Sequence, residues 1–382
     1  MSLEHRLFQL LVLLLPTQLT FHYFPSWSYV FGLKIDYLAV SLYFTDLLII
    51  SLLVVSFITK KPKRPNFDIF ARLSFVFVAT NILFSSSIAI TTIAWLKMAP
   101  DFSLAYYVYE NSSKVKDHIV KPLTLSLIFL STLAILQFIH KGSLGGLLYW
   151  LGERDLSVFT PGIAKFNFGG INYLRPYATF PHPNALAGFI GASALLIGKP
   201  LFLIGLLPTL SRNAISALLG VFLLRGKFSK ATIFIVAIFS LVLPLKGPLG
   251  ISSAIDRRLQ LATWAGEIVS VNPVNGTGLG TYIYEIGKLN NTSQLRVETL
   301  NSLLQPVHNI YLLVLSETGL LGLCIIVILL TSSAAKTKDS KVKNALLFIV
   351  LSGTLDHYWL TIKQTRLLFF VILALARGKD KR

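Results

Sequence analysis

Apolar residues in this chain come in long runs separated by short polar and basic intervals, and it is these runs that set the pattern. A run of about 17 to 25 mainly apolar residues crosses the ~30 Å hydrocarbon core of a bilayer as a helix. By that measure the clear spans lie at 6–22, 40–59, 69–94, 122–140, 184–198, 200–225, 231–246, 309–331, 345–360 and 362–377, with a weaker one at 96–113. The pattern predicts an all-α, polytopic integral membrane protein of about twelve transmembrane helices. It divides the chain into N-terminal helices (1–140), a first long loop (141–183), central helices (184–246), a second, larger loop carrying short helices (247–308) and C-terminal helices (309–382). Pro16 breaks the first run and no small-residue cleavage site follows, so that span reads as a retained helix rather than a signal peptide.

Composition excludes an ordinary water-soluble domain, since 54% of residues are apolar and only 14% charged. Thirty-five Lys and Arg against seventeen Asp and Glu leave a net charge of +18, which in a soluble protein would point to nucleic acid. The basic residues are placed otherwise. They cluster between or after apolar runs, at Lys60–Arg64, Lys114–Lys121, Arg225–Lys230, Lys336–Lys343 and Arg377–Arg382. By the positive-inside rule these clusters face the cytoplasm of a cell membrane, which puts both termini inside and exports both long loops. The bilayer is then the expected partner, and nucleic acid is not. Cys324 is the sole cysteine, which excludes an intramolecular disulfide and a thiolate metal cluster.

Two features carry chemistry. The span 200–225 holds Pro208, Ser211 and Arg212 in its middle. Pro208 removes a backbone donor and Ser211 is a good N-cap, so a broken helix restarts near Arg212 with its positive end outward, a ready anion site. The second feature is Pro306-Val307-His308-Asn309 running into an apolar helix that carries Gly319 and Gly322, where a neighbouring helix can approach closely. His308 thus stands at a helix start on the exported side. The positive end of a helix disfavours an imidazolium, which suits general-base work on a hydroxyl beside an anionic leaving group.

His308-Asn309, nine residues, Gly319, two residues, Gly322 resembles the signature of the O-antigen ligase and O-antigen polymerase superfamily. Three further segments are similar to it in the same order: Arg175 to Asn184; Ser211-Arg212-Asn213-Ala214; and Arg258-Leu259 followed by Trp264, Asn272-Pro273 and Gly276 to Gly280. The resemblance spans about 165–331. It implies a polytopic helical enzyme that transfers a glycan from a polyprenyl pyrophosphate-linked donor to an acceptor hydroxyl at the extracytoplasmic face, with no metal ion and no cofactor. It also implies His308 as the catalytic base and Arg212 and Arg258 on the pyrophosphate, with inversion at the anomeric carbon. The chain carries no D-x-D pair, no H-E-x-x-H and no phosphate-binding G-x-x-x-x-G-K-[ST]. Arginines must then neutralise the pyrophosphate through bidentate hydrogen bonds.

Arg257 and Arg258 point about 100° apart on a helix, so one of them faces the donor; Arg258 fits the pattern and Arg257 is the reserve. Arg175 and Asn309 are further candidates for substrate binding. His182 reads as the cap of the helix starting at Pro183, and Gly276 to Gly280 as a tight turn. Glu317 lies away from the face of His308. Asp356 and His357 read as interface anchors together with Tyr358 and Trp359. The acceptor could be a glycan, a lipid or a protein. Extension of a glycan chain is preferred over ligation to lipid A, because ligation presupposes an outer membrane. A transporter or flippase of lipid-linked glycans is the rival reading, but it predicts matching interrupted helices in two halves, and only one interruption is evident.

Overall fold

The computed structural model describes residues 2–59, 69–224, 254–289, 300 and 302–378, and over these the protein is mostly helical with three two-stranded antiparallel sheets. The expected span 231–246 and the basic clusters at 60–64 and 225–230 lie outside these residues. Helix α1 (Leu3–Leu14) stops just before Pro16, which cannot continue the hydrogen-bond ladder, so the span expected over 6–22 is cut short. The chain then forms β1 (Thr20–Tyr23), β2 (Tyr29–Val30), β3 (Leu33–Lys34) and β4 (Val40–Tyr43), with β1 paired to β4 and β2 to β3. The span expected over 40–59 therefore begins only at α2 (Phe44–Thr59), where the Asp46 carboxylate accepts the Tyr43 N–H at 3.0 Å.

The spans expected at 69–94 and 96–113 divide elsewhere. Helices α3 (Ile69–Leu83) and α4 (Ile88–Glu110) meet at Ser85-Ser86-Ser87, and Ser87 caps α4 by accepting the Ile90 N–H. Consecutive hydroxyls offer the backbone local hydrogen bonds that compete with a helix, and the break falls there. Helix α5 (Ser112–His140) starts ten residues before the expected 122 and runs through Pro122.

The first long loop carries α6 (Leu147–Trp150) and the hairpin of β5 (Lys165–Phe168) and β6 (Ile171–Leu174). Gln137, near the end of α5, ties the loop down. Its Nε2 donates to Glu153 at 2.6 Å, and its Oε1 accepts the N–H groups of Tyr177 and Ala178 at 3.0 and 2.7 Å. Helix α7 (Pro183–Ile197) follows, then a 3-10 segment, Pro200–Thr209. Leu210 turns left-handed at φ 50°, and α8 (Arg212–Leu224) begins after Ser211, whose Oγ accepts the Ala214 N–H. The second loop holds α9 (Ala254–Val271), at 18 residues longer than the short helices expected, and α10 (Tyr282–Ile286). Helices α11 (Ile310–Lys336), α12 (Ser340–Gly353), α13 (Tyr358–Thr361) and α14 (Lys363–Arg377) complete the chain. The span expected over 345–360 thus ends at Gly353, which leaves Asp356 and His357 in a connection between helices.

One core packs α1, α2, α4, α5, α7, α8, α11, α12 and α14 together, and a smaller one packs α9 and α10 against the start of α11 and the residues around Ile35. The start of α5, the end of α7, the start of α12 and the end of α14 meet at one end of the bundle: Lys116 pairs with Asp339 at 3.7 Å, Lys341 lies against Gly198, and Gly378 lies against Ser112. Among the described residues two helices, α5 and α11, are long and apolar enough to cross a membrane. A charge cluster is buried between α2, α4 and α14. There the Asp101 carboxylate receives Lys363 Nζ and Arg366 Nε, each at 2.5 Å, and Lys363 also contacts Asp46.

Gly319 serves a loop rather than a neighbouring helix. It sits at φ 65°, ψ −168° and kinks α11, and a Cβ there would overlap the Val274 carbonyl. Residues 273–278 fill the kink backbone to backbone. Thr277 and Gly278 donate to the carbonyls of Ser316 and Glu317 at 3.0 and 2.8 Å, and Leu320 donates to Pro273 at 2.8 Å. The run Gly276 to Gly280 is therefore more than a turn, because the loop supplies hydrogen-bond partners that the kinked helix lacks. Gly319→Ala is expected to cost about 1–3 kcal/mol in backbone strain, with the overlap added to it. Thermal unfolding in detergent checks this, and an unchanged melting temperature would mean that the kink is not required.

Candidate functional site

Segments far apart in sequence meet at the end of the bundle opposite Lys116 and Lys341, and Asp356 is at their centre. Its Oδ1 lies 3.3 Å from His308 Nδ1 and accepts the His357 N–H at 2.9 Å; its Oδ2 accepts from Asn184 Nδ2 at 2.9 Å. Asn184 Oδ1 in turn accepts from Arg175 Nη2 at 2.8 Å, and Arg175 Nε donates to the Thr209 carbonyl at 2.7 Å. One hydrogen-bonded line thus joins the start of α11, the connection before α13, the start of α7, the end of the first loop and the 3-10 segment ahead of Arg212.

Local sequence sets each of these positions. Pro183 occupies the first turn of α7, where its missing N–H is no loss, and His182 caps it by accepting the Asn184 N–H at 3.1 Å. Asn309 caps α11, its Oδ1 accepting from Tyr311 and Leu312 at 2.9 and 3.1 Å. Asn309 is buried, and its Oδ1 is occupied as the cap. Arg212 is the first residue of α8 and is exposed. Arg257 and Arg258 are both half-buried in the first turns of α9. Arg258 is among the charges acting on Arg175, His182 and His357, which brings it near the cluster.

Burial pushes the His182 imidazole down to about 4. Burial together with the charge of His308 pushes His357 down to about 3. Both rings are poor proton acceptors at neutral pH. His308 keeps partial exposure, at 16%, and its ring lies directly against the carboxylate. Burial alone would raise the Asp356 carboxyl, but His308, His357 and His182 outweigh it and hold the group well below the usual carboxylate range. Asp356 thus stays charged beside His308. The sequence reading of Asp356 and His357 as interface anchors is corrected here: both are buried, Tyr37 packs edge-on against the His357 ring, and His357 Nδ1 lies 2.7 Å from Thr361 Oγ1. A charged pair between two apolar runs was the signal that could have found them.

Glu317 stays away from His308, its Oε1 accepting the Tyr282 N–H at 3.3 Å. An apolar cavity of about 240 Å³ starts beside Tyr37, Pro306 and Thr361 and runs between α4, α11 and α14 to Leu329 and Leu373. His308, Asp356 and His357 each offer one possible metal-ligand atom, all within 4.8 Å of one another. The chain matches no family model and no curated protein, so what these groups do is argued from their geometry.

Proposed function

We propose that the chain is a multi-pass cell-membrane glycosyltransferase of the O-antigen ligase and polymerase type, with both termini cytoplasmic and the cluster at the extracytoplasmic face. It moves a glycan from a polyprenyl pyrophosphate donor to an acceptor hydroxyl. The observation that carries this reading is that His308 meets the buried carboxylate of Asp356, which Arg175 reaches through Asn184, with the charges of Arg212 and Arg258 acting on Arg175. The gathering of basic residues at the opposite end of the bundle supports the sidedness. Helices α5 and α11 are long and apolar enough to cross a membrane, and the shorter apolar helices α2, α7 and α8 are candidates for further crossings. The apolar cavity beside Thr361 suits a substrate with a hydrocarbon tail.

In this reading the Nδ1–H of His308 donates a hydrogen bond to the Asp356 carboxylate, which stays ionised, and Nε2 is left to take the proton of the acceptor hydroxyl. The hydroxyl oxygen forms the new bond to the anomeric carbon as the bond to the pyrophosphate oxygen breaks, with its electron pair leaving on the phosphate. Arg258 and Arg212 stabilise that charge, helped by the positive end of α8. Arg175 holds Asn184, and through it Asp356, in register.

Asp356→Asn keeps the size but removes the charge that orients the ring and stabilises the imidazolium. A carboxylate that orients a working imidazole contributes up to about 10⁴-fold in hydrolase triads, and a fall in kcat of about 10²- to 10⁴-fold with KM little changed is expected here. A kcat within twofold of wild type would remove Asp356 from the mechanism.

The test of the whole reading is purified protein in liposomes with a polyprenyl pyrophosphate-linked oligosaccharide, with products sized by gel. A ladder of longer lipid-linked glycans is the result expected of a polymerase. Transfer to an added acceptor without a ladder indicates ligation. Donor carried across the bilayer and never consumed would overturn the enzyme reading in favour of a flippase.

A further inference from the structure

We propose that His308, Asp356 and His357 form a binding site for a late first-row divalent cation, Zn2+ above all, and that the bound ion switches the transfer off. The second half rests on the function proposed above; the first does not.

Two imidazoles and a carboxylate are a donor set that suits Zn2+, Ni2+ or Cu2+ and not the oxygen-seeking Mg2+ or Ca2+. Their ligand atoms lie within 4.8 Å of one another. Zn–N and Zn–O bonds of about 2.0–2.2 Å require ligand atoms nearer 3.5 Å apart, so small rotations of His308 close the set around an ion. His308 is the member free to turn, since it is the partly exposed one, whereas Asp356 and His357 are buried and held. Asn184 Nδ2 on Oδ2 fixes the carboxylate, and Thr361 Oγ1 on Nδ1 fixes the second ring, the kind of outer support that orients metal ligands. The arginines nearby oppose a cation, so an affinity in the micromolar range is expected rather than that of a structural zinc site, and the fourth position stays open to water or to a phosphate oxygen.

Inhibition follows from the electron count of the ring. A neutral imidazole has one nitrogen lone pair; whichever nitrogen the ion takes, the other carries the ring proton. A coordinated His308 has nothing left with which to accept the proton of a hydroxyl. The site would thus make a metal-independent reaction sensitive to zinc in the compartment outside the membrane.

The experiment is titration of the full-length protein in detergent with Co2+, whose visible absorption reports nitrogen and oxygen ligation, and with Zn2+ by calorimetry. Wild type is compared with His357→Asn, which keeps the backbone N–H on Asp356 and loses one ligand. One equivalent bound by wild type, at least tenfold weaker binding by the variant and none of Mg2+ are the results expected. Equal affinity in the two proteins, or no saturable Co2+ spectrum in a protein that elutes folded, overturns the site. In the liposome assay Zn2+ should inhibit transfer and EDTA restore it. Transfer that proceeds unchanged with saturating Zn2+ overturns the switch, whereas absence of transfer with the Co2+ spectrum present tells against the proposed function and leaves the site standing.

Discussion

Replacing His308 by alanine is expected to lower glycan transfer by about 10²- to 10⁴-fold, the usual contribution of a positioned general base. The protein should still insert and elute as a folded species. His308 lies outside any helix, just before the Asn309 cap of α11, and its ring is partly exposed, so removing it opens no large cavity. The cap itself is untouched, because Asn309 Oδ1 and not His308 accepts from Tyr311 and Leu312. The loss should therefore appear in kcat while donor binding, held by Arg212 and Arg258, persists. Liposomes loaded with lipid-linked donor and assayed with EDTA present read this directly. Transfer retained within a few fold of wild type by the alanine variant would remove His308 from the reaction. If transfer fails and donor binding fails with it, the role of His308 is structural.

His308 and Arg212 were legible in the sequence because each breaks a local rule, a histidine opening an apolar helix and an arginine inside an apolar run. Such violations collect at functional sites. Asp356 obeyed a bland rule, a polar pair between two apolar runs, and its meaning came only from three-dimensional placement beside residues 172 and 48 positions earlier. Arg257 and Arg258 were legible as a pair of candidates, since adjacent helical residues diverge, and both are half-buried in the first turns of α9. Helix existence was read well and helix ends poorly. Pro16, Ser85 to Ser87 and Asp46 each moved a boundary by many residues, because a run of apolar residues does not record where capping groups compete with the ladder. The hairpins between residues 20 and 43 were missed altogether. Their strands are two to four residues long, too short for an alternation to register.

The buried charges on α14 were also missed, and they support the second large prediction: Asp101→Asn is expected to destabilise the protein by about 3–5 kcal/mol, as removal of one partner from a buried ion pair commonly does. Asp101 is fully buried and receives both Lys363 Nζ and Arg366 Nε at 2.5 Å. Asparagine leaves two cations facing one remaining carboxylate, that of Asp46 on α2. The ion pairs join two carboxylates to two cations, with Lys97 nearby as a third, so changing one partner of each sign should cost less than the sum of the single changes. Asp46→Asn combined with Lys363→Met should show this as a coupling of about 0.5–3 kcal/mol. Thermal unfolding in detergent measures all five proteins: wild type, Asp101→Asn, the two single changes of the pair and their combination. A single Asp101→Asn change that leaves the melting temperature in place would mean that water or other groups already satisfy the two cations. The network also bears on the site, because Lys363 follows Thr361 by two residues and Thr361 holds His357. Loosening the start of α14 should slacken the side of the cluster that His357 occupies. At temperatures where the variant remains folded, its loss of transfer should therefore stay far smaller than that of His308→Ala, since His308 and Asp356 are held from α11 and α7 as well.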